Sequence, residues 1–170
     1  MVDLSFYSLL VAVKSFEPVT ENLVADYYAQ SNHLSIDDLF MVLADGSDRY
    51  KDKTFDEILE YCSSAASSIC AGYGVAEKFF PIFKAYLIPY DCSTSADEDR
   101  SKLISLYESA ACIDVLNNEP AWYLRENIRY RLMSIYVVSS NDIDKIKELL
   151  PKVKAGKEQY SKWLVKERRG

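Results

Sequence analysis

One stretch, Thr54 to Gly74, limits most tightly what this chain can fold into. Thr54-Phe55-Asp56-Glu57 has the form of a capping box. The threonine hydroxyl accepts from the Glu57 amide, and the Glu57 carboxylate reaches back to the Thr54 amide. Asp56 and Glu57 also stand where a helix dipole favours negative charge. Behind the cap, Phe55, Ile58, Leu59, Cys62, Ala66, Ile69, Cys70 and Tyr73 recur at steps of three and four. That spacing marks one face of an α-helix and excludes a strand. Gly72 and Gly74 supply an end, because glycine takes the left-handed cap conformation freely. The expectation is a fully buried helix face around which the other segments are arranged.

The same grammar recurs along the chain. Asp3 caps a helix carrying Leu4, Tyr7, Leu10 and Val11, and Pro18 fits the first turn of a second with Leu23, Val24, Tyr27 and Tyr28. Asn32-His33 ends that helix, and Ser35 with Asp38 caps a third that stops at Gly46. Val75 to Tyr90 is apolar almost all round, as expected of a buried segment, with Pro81 kinking or restarting it. A ligand-lined cleft opened by the kink is the other reading. Tyr90 to Ser101 reads as a loop, with Ser95 and Glu98 able to cap a helix carrying Leu103, Leu106, Tyr107, Ala110, Ile113 and Leu116. Asn117-Asn118 breaks it, and Pro120 starts a helix with Leu124, Ile128, Leu132 and Ile135 on one face. The β-branched run Ile135 to Val138 allows a short strand. Ser140 or Asn141 caps the last segment, which Pro151 and Gly156 divide into two pieces. The fold class predicted is all-α: a single-domain bundle of six to eight amphipathic helices spanning 1–170, with 142–170 a basic C-terminal helical segment.

Charge is unevenly spread. The chain of 170 residues carries a net −6 at pH 7. From Lys145 to Gly170 nine Lys and Arg face three Glu, a local +6, which leaves −12 on residues 1–144. An acidic body suits a basic protein partner; it also serves solubility alone. Asp45, Asp48 and Asp52 in one polar segment, and Asp97, Glu98 and Asp99 in another, are the candidates for such a contact. Trp122, Arg125 and Arg129 share a helix face and form a third, since Trp and Arg are favoured at binding hot spots. The competing reading packs Trp122 inside and pairs the arginines with acidic neighbours.

Site chemistry is sparse. Asp45-Gly46-Ser47-Asp48 lacks the alternating oxygen ligands of a calcium loop. Four cysteines without a C-x-x-C pair, and a single histidine, His33, give no zinc pattern. No glycine-rich phosphate loop and no Ser-His-Asp arrangement occurs. Neither a metal nor a cofactor is expected.

Val24-Ala25-Asp26-Tyr27-Tyr28, continuing through Arg49-Tyr50-Lys51-Asp52-Lys53-Thr54-Phe55-Asp56-Glu57-Ile58-Leu59-Glu60-Tyr61-Cys62, resembles a stretch of squalene and phytoene synthases. The resemblance implies a helical isoprenoid enzyme with two aspartate-rich magnesium motifs. Neither motif is present: where the second would fall the chain reads Val115-Leu116-Asn117-Asn118-Glu119. The match is a shared amphipathic pattern, and no site residue is carried over from it.

The function expected is that of a non-catalytic acidic protein-binding module, such as an inhibitor or immunity-type protein that neutralises a basic partner. Two alternatives stand beside it: an isoprenoid-like small-molecule binder or divergent enzyme using Phe79–Ile88, and a viral bundle that binds a host helix. Met1-Val2-Asp3-Leu4 lacks the basic start of a signal peptide, and no apolar run of about 20 residues is present. Cytoplasmic location without membrane contact is expected, and nucleic acid is not expected as a partner.

Overall fold

The computed structural model describes residues 4–29, 35–43, 52–88, 97–116, 118–137 and 142–169. Among them the chain forms α1 (Leu4–Lys14), α2 (Glu21–Ala29), α3 (Ile36–Leu43), α4 (Phe55–Tyr73), a 3-10 turn (Glu77–Phe79), α5 (Phe80–Leu87), α6 (Asp97–Ala111), α7 (Trp122–Ile135) and α8 (Ile143–Arg169). These residues contain no strand, so the architecture is an all-α helical bundle. No described helix is long and apolar enough to cross a membrane.

The caps are where the local chemistry puts them. Thr54 Oγ1 accepts from the Glu57 amide at 3.1 Å and donates to Glu57 Oε1 at 3.2 Å. The reciprocal bond therefore runs from hydroxyl to carboxylate, without the Thr54 amide. Ser35 does the same with Asp38 at the start of α3. Gly74, at φ 70°, ends α4. Its amide donates to Ala71 O and the next amide, of Val75, to Cys70 O, the paired bonds of a Schellman motif. Of the predicted α4 stripe, Leu59 and Tyr73 are only partly buried; the rest lies in the core.

The hub of the bundle is α5, not α4. Short as it is, α5 packs against α3, α4, α6 and α7, whereas α4 packs chiefly against α2 and α5. The reason is the sequence pattern. An amphipathic helix has one face to bury, while Phe79, Ile82, Phe83, Ala85, Tyr86, Leu87 and Ile88 have something apolar on every side. Phe83 meets Phe40 of α3 with ring centroids 4.5 Å apart. Pro81 sits in the first turn of α5, where its missing amide costs nothing, so the chain restarts after the 3-10 turn rather than kinking within a helix.

Several boundaries differ from expectation. Pro18 precedes α2, and Thr20 caps it by accepting from the Leu23 amide at 3.2 Å. The helix α6 already begins at Asp97 and ends at Ala111, so Ile113 and Leu116 lie beyond it, Leu116 67% exposed. At Ile135 the chain stays helical instead of turning into a strand. The largest difference is α8, one continuous helix through Pro151 and Gly156. Pro151 is exposed, so the carbonyl it leaves without a helical partner faces solvent, while Leu149 and Val153 anchor the other side on the body. Asp142 caps α8 through the Lys145 amide at 3.2 Å. Ile143 and Leu150, though apolar, are exposed. The expected ends at Asn32-His33 and Gly46, and the caps Ser95, Ser140 and Asn141, lie outside the described residues.

The start of α7 depends on a distant residue. Ala121 is buried at a positive φ of 75°, where alanine is strained, and has no local side-chain cap. Asp37 Oδ1, from α3, accepts its amide at 2.6 Å. Burial pushes the Asp37 carboxyl up to about 6, opposed by the Ala121 amide and helped by Asp38.

Two expected outcomes follow. Gly72→Ala, which elsewhere in a helix gains up to about 1 kcal/mol, puts a Cβ 2.2 Å from Val24 Cγ1. Denaturant unfolding is expected to show a loss of about 1–3 kcal/mol instead, and a loss for Gly72→Ala with Val24→Ala smaller than the sum of the two. The raised pKa of Asp37 means that the folded state holds its proton better than the unfolded chain. Its contribution is therefore greatest below the unfolded value of 3.8 and is lost as pH rises through about 6. Asp37→Asn is expected to melt above the parent at pH 7.5, the gap closing near pH 4.

Candidate functional site

Five of the described acidic side chains, Asp56, Glu57, Glu60, Glu98 and Asp99, stand near the starts of α4 and α6. Their capping chemistry places carboxylates in both first turns. Both helices pack on α5, and Lys102 joins them. Its ammonium lies 3.1 Å from Asp56 Oδ1 and 3.7 Å from Glu98 Oε1. The hydrogen bond to Asp56 is the first reason that Lys102 holds its proton more firmly than usual. Asp56, Glu57, Glu60 and Glu98 are exposed and Asp99 half-buried. Asp99 also acts on the Lys102 ammonium, and Lys84 lines the same groove as Glu60.

From this acidic end a groove runs between α4, α5 and α6, with a volume of about 650 Å³. Its α4 wall is Glu60, Ser63, Ser64 and Ser67, small residues after the first and spaced to lie along one helix face. Phe80 and Pro81 from α5 and Leu106 from α6 form the apolar part. The α5 segment supplies only its outer edge here. Phe79–Ile88 is core, as its apolar pattern predicts, and not the alternative ligand cleft: Phe79, Ile82, Phe83 and Ala85 to Ile88 are all buried.

The other candidates fall elsewhere. Asp45 and Asp48 lie outside the described residues. Asp52 is exposed in the turn before α4, at a φ of 65°. Asp97 opens α6, and Glu98 and Asp99 are helical rather than in a loop. Trp122 and Arg125 are 4% and 8% exposed, so the face read from their spacing with Arg129 points into the molecule. Arg125 donates through Nε and Nη2 to Glu126 Oε1, at 3.2 and 2.7 Å, and through Nη1 to Ile113 O at 3.0 Å. Arg129 donates to the same Glu126 oxygen at 2.8 Å and to Ala111 O at 3.2 Å. Burial lowers the Arg129 pKa, and Glu126 opposes the shift. The arginines thus bring donors to the C-terminal end of α6.

Arg131, which the sequence reading passed over, does the same for α5. It is 6% exposed, donates to Tyr86 O and Ile88 O at 3.3 and 3.2 Å, and lies 4.5 Å from the Tyr86 ring centroid. A charged residue in step with an apolar stripe was the available signal.

Among the described residues no group of three or more His, Cys, Asp and Glu is placed to hold a metal ion. Cys62 and Cys70 are buried, and burial pushes the Cys70 thiol up to about 12, far from thiolate chemistry at neutral pH. Cys112 is free and exposed.

Replacing Glu126 with Ala strands two guanidinium groups that are mostly buried. A loss of about 3 kcal/mol or more is expected in urea unfolding, against less than about 1 kcal/mol for Glu98→Ala at the exposed pair. No family model matches the chain, and comparison with curated proteins and with solved structures gives no match.

Proposed function

We propose that this chain is a non-catalytic protein-binding module of the inhibitor or immunity type, acting in the cytoplasm, and that it docks a basic partner protein along the α4–α5–α6 groove. The observation that carries this reading is the joining of an acidic end to an apolar, small-residue groove. Glu60 lines the groove with Ser63, Ser64, Ser67, Phe80 and Leu106, and Asp56 and Glu57 stand one turn before it on α4, with Glu98 tied to Asp56 through Lys102. An amphipathic helix with a basic end fits both parts. Its apolar side approaches α4 closely over the serines, and its charges meet the carboxylates. The −12 on residues 1–144 acts at longer range, accelerating encounter with cationic proteins and discouraging anionic ones.

The test is affinity chromatography of a host lysate on the immobilised chain, followed by titration of the purified captured protein. The expected partner is basic, and its affinity falls as salt rises. Replacing Asp56, Glu57 and Glu60 together by Lys is expected to weaken it about tenfold or more, equivalent to about 1.4 kcal/mol. Ser64→Trp in the groove is expected to weaken it as well. An affinity indifferent to salt, to the charge reversal and to Ser64→Trp overturns the reading.

A further inference from the structure

The last helix outruns its support. The helices α7 and α8 pack in opposite directions. Leu149 shares a hollow with Leu132 and Tyr136 at the far end of α7, Gly156 meets Glu126, and Tyr160 reaches the α7 start. There its ring stacks on Tyr123 with centroids 4.3 Å apart and lies 6.2 Å from Trp122, the first residue of α7. Beyond Tyr160, α8 continues from Ser161 to Arg169, which is about 14 Å of helix. The described side chains there, Ser161, Lys162 and Val165, are exposed. Trp163 and Leu164 follow Tyr160 by three and four residues, in step with Leu149, Val153, Gly156 and Tyr160. Lys162, Lys166, Arg168 and Arg169 against Glu167 give the same segment a charge of +3. An apolar stripe with a basic end thus extends past the helix on which the stripe packs.

The chain also carries a surface that fits such an end. The α4–α5–α6 groove has Glu60 in its wall, Asp56 and Glu57 one turn before it, and the apolar side chains Phe80 and Leu106 beside small serines. Its described lining includes no α8 residue, and a continuous helix held at Tyr160 is not able to turn back into it. The groove of another copy is under no such constraint. Charge favours that occupant, since residues 1–144 carry −12 and the α8 end +3. The same −12 is repelled by an anionic membrane. Lys84, which lines the groove as well, has a counter-charge in Glu167. We propose that Ser161–Arg169 of one copy docks in the α4–α5–α6 groove of a second, with its cations on the carboxylates of α4 and Trp163 and Leu164 against Phe80 and Leu106. The contact is head-to-tail, joining two different surfaces. It rests on the reading of this groove as a dock for a basic amphipathic helix, and it makes the α8 end a competitor of the basic partner protein. So short a helix end buries less than a standard interface, so the association is weak.

The test is analytical ultracentrifugation of the intact chain from about 10 μM to about 1 mM. The average mass is expected to rise with concentration, and to rise less as salt is added. Replacing Lys162, Lys166, Arg168 and Arg169 together by Glu reverses the end, and Ser64→Trp closes the groove. Each is expected to weaken self-association about tenfold or more. Mixed in equal amounts, the two variants are expected to form a one-to-one complex, because one keeps the groove and the other the end. Melting curves check that both fold, with Ser67→Trp replacing Ser64→Trp if the latter does not melt cooperatively. A chain that stays monomeric throughout overturns the proposal, including one whose basic end takes up phosphatidylserine vesicles instead. So does a mixture that forms no complex, or self-association unchanged by the groove variant, which indicates pairing of α8 with α8. The two readings of the groove fail separately. A monomeric chain that still binds a captured basic protein ends this proposal alone, and self-association through the groove with no such protein captured ends the other.

Discussion

The guanidinium groups of α7 hold the middle of this molecule together. Every helix ends with carbonyl oxygens that lack a partner inside it, and such an end can be buried only if donors are brought to it. Here α7 brings them. Arg131 supplies the carbonyls that close α5, and Arg125 and Arg129 those that follow α6. Each also places positive charge at the negative pole of a helix dipole. The hub α5 can therefore be short, apolar and enclosed without leaving its end unsatisfied. The acidic counter-charge needed to keep two of these arginines in the interior is supplied from within the same helix, by Glu126.

The local signals in the sequence were readable because they act over three or four residues. Thr54 with Glu57, Ser35 with Asp38, Gly74 and Pro81 each stand where their own chemistry places them. Other features depend on partners distant in the chain. Asp37 supports Ala121 across 84 positions, and no spacing rule connects them. Trp122, Arg125 and Arg129 were correctly placed on one face of a helix, but a helical wheel cannot say which face meets water when neighbours cover it from both sides. The division of α8 at Pro151 failed for a related reason. Proline's cost falls on a single carbonyl, and on an exposed face solvent can meet it. For the acidic groove, the sequence displayed the carboxylates but not their meeting. That contact exists because α4 and α6 both pack on α5 and Lys102 of α6 reaches across to Asp56 of α4.

Two concave surfaces of the bundle have contrasting physics. The groove on α4, α5 and α6 is open and lined by exposed serines, and its charge acts at a distance. The cleft between α7 and α8 is small and lined largely by tyrosine rings. They share no residue. The basic helix α8 closes one of them, while the −12 of the rest of the chain bears on the other.

Gly156 gives the long last helix a fixed address. Smooth helices can slide past each other by a turn, exchanging one set of knobs for another at small expense. Only one position along α8 here has room for the Glu126 carboxylate, because it has no side chain. Shifted by a turn in either direction, α8 would drive Lys152 or Tyr160 into the space the carboxylate occupies. The missing methyl acts as a keyway that fixes both the depth and the rotation of an otherwise lightly attached rod.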